Sequence, residues 1–235
     1  MSEPLRIGLV VEGPTDRIVI EAAVRAVLGE RSFIMTQLQP EDSEAFGANG
    51  GGWPGVYKWC RQNANHYGGR ISENAMLGRF HLVIIHLDAD VADVTYESGN
   101  ITPDPTDLPL PCAKACPPPS ATTDALRDVA LSWCGILELP QTLVICMPSK
   151  STEAWVAASL FPDDSYVQRG ASFECFENPA GRLGQQPKKR RIQKRVPDYR
   201  AQGTALTREW PRLSGPIGLE QAARFDSDLR AAIPN

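Results

Sequence analysis

His81-Leu82-Val83-Ile84-Ile85-His86-Leu87-Asp88-Ala89-Asp90 is the stretch whose reading decides the fold. An almost unbroken apolar run rich in β-branched residues is the pattern of a strand covered on both faces, as strands of parallel sheets are. It runs straight into two aspartates. Upstream, Leu5-Arg6-Ile7-Gly8-Leu9-Val10-Val11 has the same character and stops at Glu12-Gly13-Pro14-Thr15, where Gly and Pro break the strand. Downstream, Gln141 to Met147 reads as a third buried strand ending at Pro148, and Ser32 to Leu38 as a further, weaker one.

Helical periodicity fills the spaces between these strands. From Asp16, with Thr15 as a cap, Ile18, Val19, Ala22, Ala23, Ala26 and Val27 repeat on one face up to Gly29. A helix over Gly55 to Asn65 would bury Val56, Trp59 and Cys60. Another opens at Thr123 and carries Leu126, Val129, Ala130, Trp133 and Leu137 on its inner face. Ser151 or Thr152 caps a helix bearing Glu153, Trp155, Val156 and Leu160. Residues 39–55 are Gly-rich and polar and read as a mobile loop. Residues 97–121 hold seven prolines and no apolar period, so they read as a surface insertion. After Pro162, residues 163–187 are loop-like. Two short helices come next, near Thr204 to Trp210 and Leu219 to Ile233. Strands alternating with helices give an α/β fold, a mostly parallel sheet flanked by helices. The sheet domain spans residues 1–162, and a basic loop with a small helical extension spans 163–235.

The chain has 235 residues, 42% hydrophobic and 22% charged, which suits a folded globular protein with a full core. Its net charge of −4 offers no global attraction to nucleic acid, so a polyanion would need a local basic patch or bound cations. No apolar run approaches the ~20 residues that cross a bilayer. Met1-Ser2-Glu3-Pro4 lacks the basic start of a secretory signal. A cytoplasmic location is expected, and in a reducing compartment a disulfide framework is not. Cys60, Cys134 and Cys146 read as small core residues. Cys112 and Cys116 form the one close pair, without the further ligands that zinc requires.

Three acids stand at strand ends. In open α/β sheets ligands bind beyond the carboxyl ends of the strands. Glu12 comes directly after the first strand, and Asp88 and Asp90 come after the central one. In extended backbone Asp88 and Asp90 would share a face and reach one cation. Clustered carboxylates repel one another, and a divalent cation relieves that repulsion. Oxygen donors with room for water favour Mg²⁺ or Mn²⁺ over zinc. The bland alternative is that an Asp after a strand caps a helix or forms a turn.

Glu12-Gly13-Pro14-Thr15-Asp16, an apolar strand ending in Asp88-Ala89-Asp90, and Glu153-Ala154-Trp155 opening a later helix together resemble the Toprim domain. That domain is shared by topoisomerases, bacterial primases, recombination-mediator proteins and the overcoming-lysogenization-defect nucleases. The order of the motifs is closer still to a small stand-alone Toprim-like family of unknown function. The resemblance spans roughly residues 5–160; the Pro-rich insertion and the Gly-rich loop depart from it. It implies a Rossmann-like sheet with Mg²⁺ on Asp88 and Asp90 and Glu12 as a further ligand or general acid/base. Glu153 could help to place a second cation, or it could simply complement the dipole of its helix. By family analogy the activity would be that of a nuclease on DNA or RNA, in defence against phage and other mobile elements.

The run Lys188-Lys189-Arg190-Arg191-Ile192-Gln193-Lys194-Arg195 places six positive charges in eight residues. It would neutralise phosphates if the partner is nucleic acid, although such runs are commonly solvated loops. His86 alternates with apolar neighbours and reads as a satisfied core residue. No Ser/His/Asp order, P-loop or Gly-x-Gly-x-x-Gly is present. Two rivals stand beside the nuclease. One is a non-catalytic module that binds nucleic acid or a partner protein. The other is a small-molecule phosphohydrolase of the haloacid dehalogenase type. Leu87-Asp88-Ala89-Asp90-Val91 resembles that family's opening, but Ala92 stands where it requires Thr or Val, and the strand is not the first in the chain.

Overall fold

The computed structural model describes residues 3–41, 49–66, 71, 74–103, 105, 108–215 and 218–234. Among them, four strands form one parallel sheet: β1 (Leu5–Val10), β2 (Phe33–Gln39), β3 (Leu82–His86) and β4 (Leu143–Cys146), in the order β2-β1-β3-β4. The α/β expectation holds. β1 sends its crossover to one side and β3 continues on the other, so the order reverses between β1 and β3. A crevice at such a reversal is where open α/β sheets place their ligands.

Alternation along the strands divides the core into two layers. Leu5, Ile7, Leu9, Leu82, Ile84, Val144 and Cys146 face one side. Against them pack α1 (Pro14–Leu28), α4 (Thr152–Leu160), α6 (Val196–Leu213) and α7 (Glu220–Ala232). Val10, Val83, Ile85, Leu143 and Ile145 face the other side, under α2 (Gly52–His66) and α3 (Pro119–Trp133). The C-terminal extension is therefore part of the first layer. Trp155 of α4 stacks on Phe225 of α7 and meets Trp210 of α6 edge-on at 5.3 Å. Each such side chain contributes about 1.5–3 kcal/mol by leaving water.

Several boundaries differ from expectation for identifiable reasons. α1 begins at Pro14, whose fixed φ and missing N–H suit a first helical position, and Gly13 rather than Thr15 takes the cap position. α2 starts at Gly52, inside the expected Gly-rich loop; the stretch 42–48 of that loop lies outside the described residues. α3 starts at Pro119, inside the expected insertion. It ends at Trp133 because Gly135 adopts φ 63°, which turns the chain outward and leaves Leu137 97% exposed instead of inward-facing. Leu108 of the insertion is tied down: the Tyr96 hydroxyl donates to the Leu108 carbonyl at 3.1 Å and accepts from Trp133 Nε1 at 2.9 Å. Residues 163–187 contain a kinked 3-10 segment, Val167–Cys175, and the short helix α5 (Pro179–Gly184).

Cys60, Cys134 and Cys146 are buried and free, as expected. Cys116 and Cys175, however, are joined by a disulfide, against the expectation drawn from a reducing compartment. The bond fastens the insertion to the 3-10 segment 59 residues later. The spacing of cysteines in the sequence did not reveal it, because the partners meet only through the fold. Among the described residues no helix is long and apolar enough to cross a membrane.

Candidate metal centre

β1 pairs with β2 as far as Val10, and Val11 N–H still donates to the Gln39 carbonyl at 2.8 Å. The chain then leaves the sheet at Glu12. The backbone there is pinned by Gly52 N–H, which donates to the Glu12 carbonyl at 2.8 Å, and by α1 starting two residues on. Glu12 is thus delivered to the carboxyl edge beside β3. Its Oε1 accepts the Asp88 backbone N–H at 2.7 Å.

Asp88 lies just beyond β3 with extended backbone (φ −69°, ψ 136°), and the chain then coils into a 3-10 turn, Ala89–Asp93. This turn is fastened to the β4–α4 loop by Ala89 N–H on the Pro148 carbonyl and Asp90 N–H on the Lys150 carbonyl. Asp88 Oδ1 accepts the Thr152 backbone N–H at 3.2 Å and lies 3.0 Å from His86 Nε2. The carboxylate therefore caps the N-terminus of α4 from another element, a placement the helix dipole favours. His86 is on the same strand face as Leu82 and Ile84 and is fully buried. Its Nδ1 has no partner among the described residues.

Glu12, His86 and Asp88 offer ligand atoms that all lie within 4.8 Å of one another, the group of this kind among the described residues. A second rank of buried acids stands behind it. The Thr152 hydroxyl donates to Asp16 Oδ1 at 2.7 Å. Glu153 Oε1 accepts the Tyr199 hydroxyl at 2.8 Å and pairs with Lys194 Nζ at 3.1 Å, while its buried Oε2 has no partner among the described residues.

Burial and crowding set the electrostatics. Burial pushes the Glu12 carboxyl well above the usual range, and the neighbouring Asp88 pushes it further. Burial and Asp16 raise Asp88 to about 7. Burial opposes a charge on His86, but Asp88 overrides it and lifts the imidazole to about 9. Burial also works against ionised Glu153, yet Lys194, helped by bonds from Ser151 and Tyr199, holds it below the ordinary value. The surroundings thus favour the charged form of the outer pair, Glu153 and Lys194, and bound protons on Glu12 and Asp88.

Glu12 and Asp88 converge as the strand-end reading expects. Asp90 does not join them in the tight group. The two-residue alternation that would align it with Asp88 requires extended backbone, and the 3-10 turn replaces that, leaving Asp90 exposed. Partial burial of its carboxyl still raises it above the ordinary value, against the pull of Lys194 and Lys150. Glu153 sits at the start of α4, but its Oε1 is occupied by Lys194 and Tyr199. In the basic run, Lys188, Lys189 and Arg191 are exposed. Arg190 is spent on the Leu160 carbonyl at 3.3 Å and the Phe161 ring, and Arg195 pairs with Asp198 at 3.3 Å. His86 is the member that reading the residues as a core histidine missed. Its signal was its place two residues before Asp88 on the same strand face.

These residues fit a hard divalent cation. Two carboxylates supply oxygen donors, and the buried Glu153 Oε2 behind them is left without a partner among the described residues. The nearby imidazole widens the choice from Mg²⁺ towards Mn²⁺ and other first-row ions. Comparison of the chain with protein-family models, with curated proteins and with solved structures returns no match.

Proposed function

We propose that this protein holds a divalent cation, Mg²⁺ or Mn²⁺, on Glu12 and Asp88 and hydrolyses phosphodiester bonds of nucleic acid at that site. The observation that carries the reading is the convergence of Glu12, His86 and Asp88 at the reversal point of the sheet. The likeness of the motifs to Toprim nucleases supplies the reaction class.

When bound, such a cation supplies Lewis acidity towards a phosphoryl oxygen and counter-charge for the leaving oxygen. The chain's own residues do the rest. Asp88 N–H fixes the orientation of Glu12, which would stand either as a ligand of the cation or as the general base towards an attacking water. His86 holds Asp88 Oδ1 from the protein side, as a positioning residue. Lys194 and Tyr199 hold Glu153 ionised behind the site.

One observation favours a second reading. Asp88 Oδ1 caps α4 and Lys194 neutralises Glu153, as a purely structural polar cluster would have it. Under that reading the protein is a binding module without turnover. Nuclease assays with Mg²⁺ and with Mn²⁺ on wild type and Asp88→Ala separate the two. Cleavage by wild type that Asp88→Ala abolishes supports the enzyme, and cleavage that survives the substitution assigns it elsewhere.

A further inference from the structure

A groove with a volume of about 910 Å³ lies outside the acidic cluster, along the seam between α1 and α6. Its walls carry Arg17, Glu21 and Arg25 from α1, and Arg200, Thr204 and Arg208 from α6. Four arginines line it; Glu21 pairs with Arg25 and Glu209 with Arg208, which leaves a positive surplus among these residues in a chain whose net charge is −4. On each helix the two arginines are eight residues apart, which is about 12 Å along the axis. Arg17 is steadied by Gln37 at 3.2 Å, and Arg25 by Glu21 and the Phe33 ring. Arg200 and Arg208 are exposed on the opposite wall.

The groove has a direction. Asp16, in the first turn of α1, bonds Thr152, and Tyr199, in the first turn of α6, bonds Glu153. Thr152 and Glu153 are consecutive, so both helices begin at the acidic cluster and run away from it together. Pro14 and Val196 line the near end of the groove. They stand two residues after Glu12 and Lys194 respectively. The lined stretch of each helix is twelve or thirteen residues, roughly 17 Å. The groove's walls are two helices packed side by side, whose axes stand about 8–10 Å apart, so the seam has the width of one extended strand.

We propose that the groove between α1 and α6 binds one strand of nucleic acid through its phosphates and leads it to the edge that carries Glu12 and Asp88. Arginine forks match phosphate oxygens, and the Thr204 hydroxyl adds a neutral donor between the charged ends. The strand-guiding role rests on the cation-site reading; the affinity of the groove for a strand does not. The exposed Lys188, Lys189 and Arg191 become peripheral to the track.

The test is fluorescence anisotropy of labelled oligo(dT) with EDTA present, for wild type, Arg200→Glu/Arg208→Glu and Lys188→Glu/Lys189→Glu. Arg200→Ala and Arg208→Ala are carried alongside as milder changes at exposed positions. The groove double variant should bind at least about tenfold more weakly, and each alanine variant should flatten the salt dependence by about 0.7 in log–log slope. The basic-run variant should bind nearly as wild type does. Unchanged binding by the groove variants, loss confined to the basic-run variant, or displacement of the strand by polyglutamate as readily as by unlabelled oligo(dT) would overturn the proposal. Calorimetric titration of the same proteins with Mn²⁺ keeps the two readings apart. Cation uptake should survive the groove substitutions. A wild type that takes up no Mn²⁺ but whose strand binding depends on Arg200 and Arg208 removes the cation site and leaves the groove standing.

Discussion

The backbone N–H of Asp88 donates to Glu12 Oε1 across 2.7 Å, joining residues 76 positions apart at the ends of two adjacent parallel strands. The bond is a consequence of strand order: β1 and β3 are neighbours, so the residues just beyond their carboxyl ends meet at one edge. Burial there raises the proton affinity of both carboxyls, and a neighbouring carboxylate adds to it, Asp88 for Glu12 and Asp16 for Asp88.

Neutralising either carboxylate should therefore improve the metal-free protein while removing its cation site. Glu12→Gln and Asp88→Asn are each expected to weaken Mn²⁺ binding by at least about tenfold, since each deletes one charged donor. Asp88→Asn keeps a cap acceptor for Thr152, so its melting temperature without metal should be at or above that of wild type. Calorimetric titration and thermal melts in EDTA check both halves.

His86 is expected to act through Asp88. His86→Gln should reduce cation affinity by about ten- to a hundredfold, the range found when an outer partner of a ligand is lost. It should also shift the pH dependence of that binding, because Asp88 would lose the imidazole that favours its ionised form. A substitution that merely loosened the core would lower the melting temperature without moving the pH midpoint of binding.

Lys194 competes with a cation for the same field. Its ammonium lies 3.1 Å from Glu153 Oε1, and its affinity for the proton is raised despite partial burial, mainly by Glu153. Lys194→Gln should increase Mn²⁺ affinity severalfold and destabilise the metal-free protein, which would then hold Glu153 buried without its partner. Affinity that falls instead would place Lys194 on the ligand side of the site.

Away from the centre, Glu174 provides a clean pH signature. It is buried, and both its oxygens take the Gln221 N–H at the start of α7 (3.0 and 3.2 Å). Burial raises its carboxyl to about 7 from 4.5. The folded state then binds more protons than the unfolded state between those values. The contribution of Glu174 is complete below the unfolded value and is lost as pH rises through the folded one, with a slope of at most ~1.4 kcal/mol per pH unit. Denaturant unfolding from pH 4.5 to 8 should show that decline, and Glu174→Gln should flatten its share. Glu12 and Asp88 have the same sign, and saturating cation should suppress their part alone.

The Cys116–Cys175 bond closes a loop of 59 residues. Cys116→Ser should lower stability by about 2–4 kcal/mol, and a reductant should do the same to wild type but not to the variant. Thermal melts with and without dithiothreitol read this directly.

The strands, the parallel sheet and the meeting of Glu12 with Asp88 were legible because each is written locally. Apolar runs mark buried strands, and in a parallel sheet the residue after each strand lands on the same edge. Asp90 and Leu137 were misplaced for local reasons too, since a 3-10 turn and a positive-φ glycine replace the regular periods that the expectation assumed. Tyr199, Lys194 and the arginine-lined seam were illegible for the opposite reason. They depend on α6 docking against α1 and α4, roughly 180 and 45 residues away, and no local pattern encodes that docking. His86 lay between the two cases, a polar residue on a strand covered on both faces, where alternation no longer separates inside from outside.

The most direct measurement of the central claim is anomalous diffraction from crystals soaked in Mn²⁺. A peak within coordination distance of both the Glu12 and the Asp88 carboxylates is the expected result. Intact, ordered side chains with no peak between them, or a peak held elsewhere on the molecule, would contradict it.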